Sequence, residues 1–168
     1  MEKRQLSISY LQYETPGDLP GQDKRLLESA KNALRLAYAP YSRFRVGAAA
    51  LLANNDIVEG ANYENAAYPL CLCAERAALA AAISKFPEMP VLAMAVTVEN
   101  SSQTIQRPAT PCGACRQVLA ETEIKNRQAI RLLLQGQIGP VWVFENSSDL
   151  LPFGFDGSYL SAPILDKF

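Results

Sequence analysis

The sequence predicts an α/β fold: a three-layer α/β/α domain in which a mixed five-stranded sheet is covered by helices on both faces. Three observations predict it. Segments of helical and strand periodicity interleave in the order helix, hairpin, helix, strand, helix, strand, strand. The later strand segments are apolar along most of their length, as expected of strands covered on both faces. The chain of 168 residues is 49% apolar and 20% charged, which fits one compact domain with one core.

The elements follow in order. Residues 1–22 carry Pro16, Gly17 and Pro20 among mixed polar residues and read as an N-terminal arm or a short edge strand. The single domain is expected over 23–168. From Asp23 to Tyr38, Leu26, Leu27, Ala30, Ala33, Leu34 and Ala37 recur at helical spacing with charges opposite, predicting an amphipathic helix that Pro40 ends. The runs 44–53 and 57–64 flank Asn54-Asn55-Asp56 and predict a hairpin. The Ala-rich run 73–84 is apolar nearly all round and predicts a buried central helix. Residues 91–100 predict a strand covered on both faces, and 112–123 a helix opening after Pro111. Strands over 130–135 and 140–145 and a short helix over 147–152, with Ser147 as cap, complete the domain.

Composition then narrows the chemistry. Sixteen Lys+Arg against seventeen Asp+Glu give a net charge of −1, without the basic excess that long nucleic acid requires. The residues MEKRQLSISYLQYE have no apolar signal-peptide core, and no run is long enough to span a bilayer, which predicts a soluble cytosolic protein without a membrane partner. The chain has no His at all, so Ser-His and Cys-His relays and His metal ligands are excluded. Four Cys stand in two tight pairs, Cys71 with Cys73 and Cys112 with Cys115. In a reducing compartment, such pairs indicate metal ligands or catalytic thiols.

Cys73-Ala74-Glu75 and Pro111-Cys112-Gly113-Ala114-Cys115 each open a predicted helix. Cys112 and Cys115 are three apart and share one helix face, so one ion reaches both sulfurs. Cys73 and Glu75 face the same ion only if Cys73 occupies the cap position, because residues two apart inside a helix diverge. Three thiolates with an open fourth position suit a catalytic Zn²⁺. Their excess negative charge calls for compensation, by the two helix N-termini and by Arg76 donating to the sulfurs from behind the ligands.

The Cys-x-Glu and Pro-Cys-x-x-Cys pair is the all-Cys form of the zinc-deaminase signature. Together with YAPYSRFRVGAAALL, EGANYENAAYPLCLCAERAALAAA and PCGACRQVLAE, it resembles the cytidine deaminases of the small homotetrameric type, over roughly residues 23–155. The resemblance implies deamination of cytidine and 2′-deoxycytidine in pyrimidine salvage. It further implies that a zinc-bound hydroxide would attack C4 while Glu75 shuttles protons. It also implies that Asn62 and Glu64 bind the ribose hydroxyls, Phe44 forms a wall beside the pyrimidine and the Ala74 N–H meets the substrate oxygen. Phe155, or Phe153 two residues before it, would reach a neighbouring subunit's site. Cys71 departs from the family pattern and stands as a spare thiol or a rival ligand. Three alternatives remain: a thioredoxin-like redox pair at CGAC, a structural four-Cys zinc module including Cys71, and a deaminase of another aminopyrimidine nucleoside such as a blasticidin-like antibiotic. A nucleotide substrate is disfavoured because Glu64 repels phosphate. The stretch 99–110 has no role readable from its residues.

Overall fold

A computed structural model of the chain describes residues 1–160; the predicted domain's final stretch, 161–168, lies outside them. Six strands form one sheet: β1 (Leu11–Tyr13), β2 (Phe44–Leu52), β3 (Ile57–Ala61), β4 (Val91–Asn100), β5 (Arg131–Gln135) and β6 (Val141–Phe144). Their spatial order is β1-β6-β5-β4-β2-β3, with β4 and β5 parallel and every other pair antiparallel. The sheet is therefore mixed, as expected, but has six strands where five were predicted. The sixth comes from the N-terminal arm, whose Leu11, Gln12 and Tyr13 pair with Val143, Trp142 and Val141. Three residues are too few to show a period in sequence. Pairing is reinforced from the side chains: the Trp142 indole N–H donates to Gln12 at 2.9 Å, and the Tyr10 ring lies 5.0 Å from that of Trp142.

Three helices cover the sheet: α1 (Gly21–Ala33), α2 (Ala74–Lys85) and α3 (Gly113–Asn126). Strand alternation sorts the core into two layers. Ala49, Leu51, Ala95, Leu133 and Val143 point toward α1 and pack on Leu26, Leu27 and Ala30. Ala48, Ala50, Met94, Val96, Leu132 and Leu134 point the other way, onto Ala78 and Leu79 of α2 and Leu119 of α3.

Two glycines set how closely the helices approach. A Cβ on Gly60 of β3 would stand 2.3 Å from the backbone N of Ala78 and 2.8 Å from the carbonyl O of Ala74. One on Gly47 of β2 would stand 2.1 Å from the Ala30 carbonyl of α1. Gly60 thus lets the first turns of α2 lie directly on the sheet, and that turn carries Glu75.

The predicted first helix is longer than the observed one. α1 ends at Ala33 and tightens into a 3₁₀ turn, Leu34–Leu36. The chain leaves the helix because the Tyr38 backbone is recruited elsewhere, its N–H to the Asn62 carbonyl and its carbonyl to the Glu64 N–H. Helix α2 also differs from the reading of a fully enclosed helix: Ala74, Ala78 and Ala82 are buried, but Ala80 and Ala81 are exposed on this chain. Among the described residues, no helix is long and apolar enough to cross a membrane.

Candidate active site and metal centre

The two cysteine motifs meet because two helices start at one place. Cys73 is the N-cap of α2 (φ −76°, ψ 151°) and Cys112 the N-cap of α3 (φ −68°, ψ 167°), both with extended backbone. Cys115 lies in the first turn of α3 and is buried. With Cys73 at the cap, its side chain and that of Glu75 reach the same cavity, as the spacing argument requires. The Sγ atoms of Cys73 and Cys112 are 3.8 Å apart, and those of Cys112 and Cys115 are 3.5 Å apart. Sulfurs at the corners of a tetrahedron ~2.3 Å from its centre lie about 3.8 Å apart, so the trio fits a zinc ion. All three sulfurs fall within 4.8 Å of one another, and Cys71 is not in the group.

Cys71 is instead engaged with its own loop. Its sulfur accepts the Asn65 N–H at 3.3 Å and its thiol faces the Asn65 carbonyl at 3.7 Å. The four-Cys structural site is therefore not the arrangement found. Arg76 sits where compensation is needed, donating to the Cys71 carbonyl at 3.1 Å and to the Cys73 sulfur at 3.7 Å.

These contacts divide the protons of the cluster unequally. The Cys73 thiol is drawn down to about 5 by the hydrogen bond from Cys115, with Arg76 and Cys112 adding to it against the cost of burial. Cys115 is pushed up because its proton is committed to Cys73, and burial and the charge of Glu75 push the same way. The Glu75 carboxyl, only 5% exposed, is raised above the ordinary carboxylate value chiefly by burial, and further by the Cys73 charge.

A cavity of about 280 Å³ opens over the cluster, and Cys73, Cys112 and Glu75 contribute to its wall. Phe44, Asn62 and Glu64 also line it. Asn62 and Glu64 lie beyond β3, which ends at Ala61 rather than at the predicted residue 64. The chain nonetheless stays extended there, because Tyr63 forms bridges to Tyr38 and Leu72. The Asn62 carboxamide closes onto the edge of β2, its Oδ1 accepting the Val46 N–H at 2.8 Å and its Nδ2 donating to the Phe44 carbonyl at 2.9 Å. Glu64 Oε2 accepts the N–H groups of Tyr41 at 2.9 Å and Ser42 at 3.2 Å, and Oε1 accepts the Ser42 hydroxyl. That hydroxyl first, and the two backbone amides with it, hold the Glu64 carboxyl below the usual carboxylate range.

Ala74 is buried at the first position of α2, where its N–H has no intrahelical acceptor. Phe155 does not join this chain's own cavity. It is 58% exposed, stacked 5.5 Å from Tyr159, with its carbonyl accepting from Gln117 at 2.8 Å. Phe153 is 95% exposed and has a left-handed backbone, φ 58°.

Several cavity residues were not singled out from sequence. Val96 and Val98 line it from β4, and Ala109 and Thr110 from the loop before Cys112. The alternation of β4 puts 96 and 98 on one face, and Ala109 and Thr110 are tied to the site by their nearness to Cys112. The polar stretch after β4 therefore ends as part of the cavity wall.

The chain is similar to known proteins over most of its length. A family model described as "Cytidine and deoxycytidylate deaminase zinc-binding region" matches residues 20–130. A cytidine deaminase of Halalkalibacterium halodurans is 44% identical over 77% of this chain and 91% of its own length. One from Mycobacterium tuberculosis is 38% identical over 82% of this chain and 95% of its own. The crystal structure of cytidine deaminase from Burkholderia pseudomallei superposes with a TM-score of 0.68 at 41% identity, covering 78% of this chain and 97% of that one.

Proposed function

The chain belongs to the cytidine and deoxycytidylate deaminase zinc-binding family, and from that premise we propose that it hydrolyses cytidine and 2′-deoxycytidine to uridine and 2′-deoxyuridine with release of ammonia, in pyrimidine salvage. One observation carries the reading. A trio of sulfurs placed to hold a metal ion, a buried carboxyl and a pair of polar residues two apart meet at a single cavity of about 280 Å³.

Cys73, Cys112 and Cys115 would hold a zinc ion, which would supply Lewis-acid activation of the attacking water. Glu75 takes the proton of that water, gives it to N3 and then helps to protonate the departing amine. Its burial supports this role, since a carboxyl with a raised pKa exchanges protons more readily near neutral pH. The Ala74 N–H, at the positive end of α2, donates to the pyrimidine oxygen. Phe44 walls the ring, and Asn62 and Glu64 bind ribose hydroxyls. Arg76 keeps Cys73 as thiolate and offsets the negative charge of the ligand set. Thiolate ligands suit a reducing compartment, consistent with the cytosol.

The active particle is a homotetramer in which Phe155 completes a neighbouring site. Support comes from its exposed ring, and from Ala80 and Ala81 of α2, which are small, apolar and uncovered on the single chain. Sedimentation is expected to give about four chains per particle; a fully active monomer refutes shared sites.

The test of function is direct. Zinc-loaded protein is mixed with cytidine or 2′-deoxycytidine and the ultraviolet absorbance change on conversion is followed, with ammonia measured in parallel. Turnover of neither nucleoside overturns the substrate assignment.

A further inference from the structure

We propose that Ser42, which does not itself line the cavity, is a positioning residue that locks Glu64 and Phe44 into one rigid substrate-binding unit. The proposal rests on the nucleoside reading above. A serine hydroxyl has one proton to donate and two lone pairs to accept with. Ser42 Oγ spends the proton on Glu64 Oε1 and accepts the Phe44 N–H at 3.0 Å. One atom thus ties the carboxylate assigned to ribose to the backbone of the residue assigned to the pyrimidine.

The local chain path makes the double contact possible. Arg43, between Ser42 and Phe44, adopts the left-handed region at φ 56°, turning the chain so that the amide of residue 44 faces the side chain of residue 42. Phe44 is then held at both ends of its peptide groups, by Ser42 at its N–H and by Asn62 at its carbonyl. Asn62 and Glu64 are two residues apart, so three hydrogen bonds and the chain between those two residues close a ring at one wall of the cavity.

The ring also limits what Glu64 can accept. A carboxylate offers about four lone-pair sites. Three are filled by the Ser42 hydroxyl and the Tyr41 and Ser42 amides. The remaining one, on Oε1, takes a single sugar hydroxyl, presented with the carboxylate already fixed. Without the clamp, the half-buried Glu64 side chain pays rotamer entropy on each binding event.

Ser42→Ala removes the hydroxyl that joins Glu64 to the Phe44 amide, while the backbone amides of residues 41 and 42 stay on Glu64 Oε2 and the cysteine cluster and Glu75 are untouched. The expected result is a KM for cytidine raised about ten- to a hundredfold, from loss of a hydrogen bond to a charged group, with kcat changed less than about threefold. The KM increase is expected to shrink to under about threefold with 2′,3′-dideoxycytidine, which lacks the hydroxyls that Glu64 would accept. Ser42→Thr, which keeps the hydroxyl, restores the KM. An unchanged KM, or an equal increase with both nucleosides, overturns the proposal. Amide hydrogen exchange supplies a readout independent of turnover: the Phe44 N–H loses protection in Ser42→Ala and keeps it in Ser42→Thr. If the wild type turns over no nucleoside yet the Phe44 amide responds this way, the cytidine reading fails and the clamp stands. If the amide does not respond, the clamp fails.

Discussion

Replacing Glu75 by Gln separates chemistry from structure at this site. The substitution keeps the shape of a side chain that is 5% exposed, so the packing of α2 on β3 is retained. It removes the only atoms that exchange a proton at that position. Loss of a general acid–base group costs ~10²–10⁴ in rate, or about 3–5 kcal/mol of transition-state stabilisation. In the proposed mechanism one carboxyl serves water, ring nitrogen and leaving group in turn, so the loss in kcat is expected at or beyond the upper end of that range. Stability responds in the opposite sense. Burial raises the Glu75 carboxyl above its unfolded value, so the folded state prefers the protonated form. Below the unfolded pKa, Glu75 therefore carries no ionisation cost. The cost develops as pH rises from that value through the raised one, and above it stays constant. In metal-free protein, Glu75→Gln is therefore expected to melt no lower than the wild type at pH 7, with any advantage vanishing as the pH falls below the ordinary carboxylate value. The assays are the absorbance change on cytidine conversion, metal content, and thermal unfolding against pH. Near-normal turnover refutes the role of Glu75. Lost turnover accompanied by lost zinc or a lower melting temperature refutes the separation argued from its burial.

Two further outcomes follow from the placement of the helices. Cys73→Ala, Cys112→Ala and Cys115→Ala are each expected to lose most bound zinc by metal analysis, whereas Cys71→Ala retains it, because Cys71 serves the Asn65 backbone and lies outside the sulfur cluster; zinc loss on changing Cys71 alone would restore the four-Cys site. Gly60→Ala places a methyl group 2.3 Å from the Ala78 backbone. It is expected to destabilise the protein by about 1–3 kcal/mol, as overpacking does, and to lower activity by lifting α2 and Glu75 off the sheet; an unchanged melting temperature and rate would show that the close approach is not required.

The chemistry of this protein was legible in the chain because it is carried by short local patterns. Cys-x-Glu and Cys-x-x-Cys at two helix starts point to a metal site with a carboxyl beside it, and the absence of His removes the competing ligands; the three sulfurs do gather at one place. The periodicity of β2, β4 and the helices was equally local, and these elements lie within a few residues of where the pattern puts them. Resemblance contributed what pattern did not, the expectation that Asn62, Glu64 and Phe44 serve one substrate; the structure brings the three to one cavity.

Other features depended on groups far apart in sequence. That Arg131 pairs with Asp23 across the domain at 2.9 Å, or that β1 finds the edge of β6, has no local signature. The same holds for Ser42: in the chain it is one polar residue before an arginine, and only the turn at Arg43 and the arrival of Glu64 make it a clamp. Ala109 and Thr110 enter the cavity because α3 must start beside α2. Sequence determines which side chains can do chemistry, since ligand softness and acidity are properties of residue type. The tertiary structure decides which of them share a cavity, because convergence depends on backbone paths that hydrogen bonds between distant segments set.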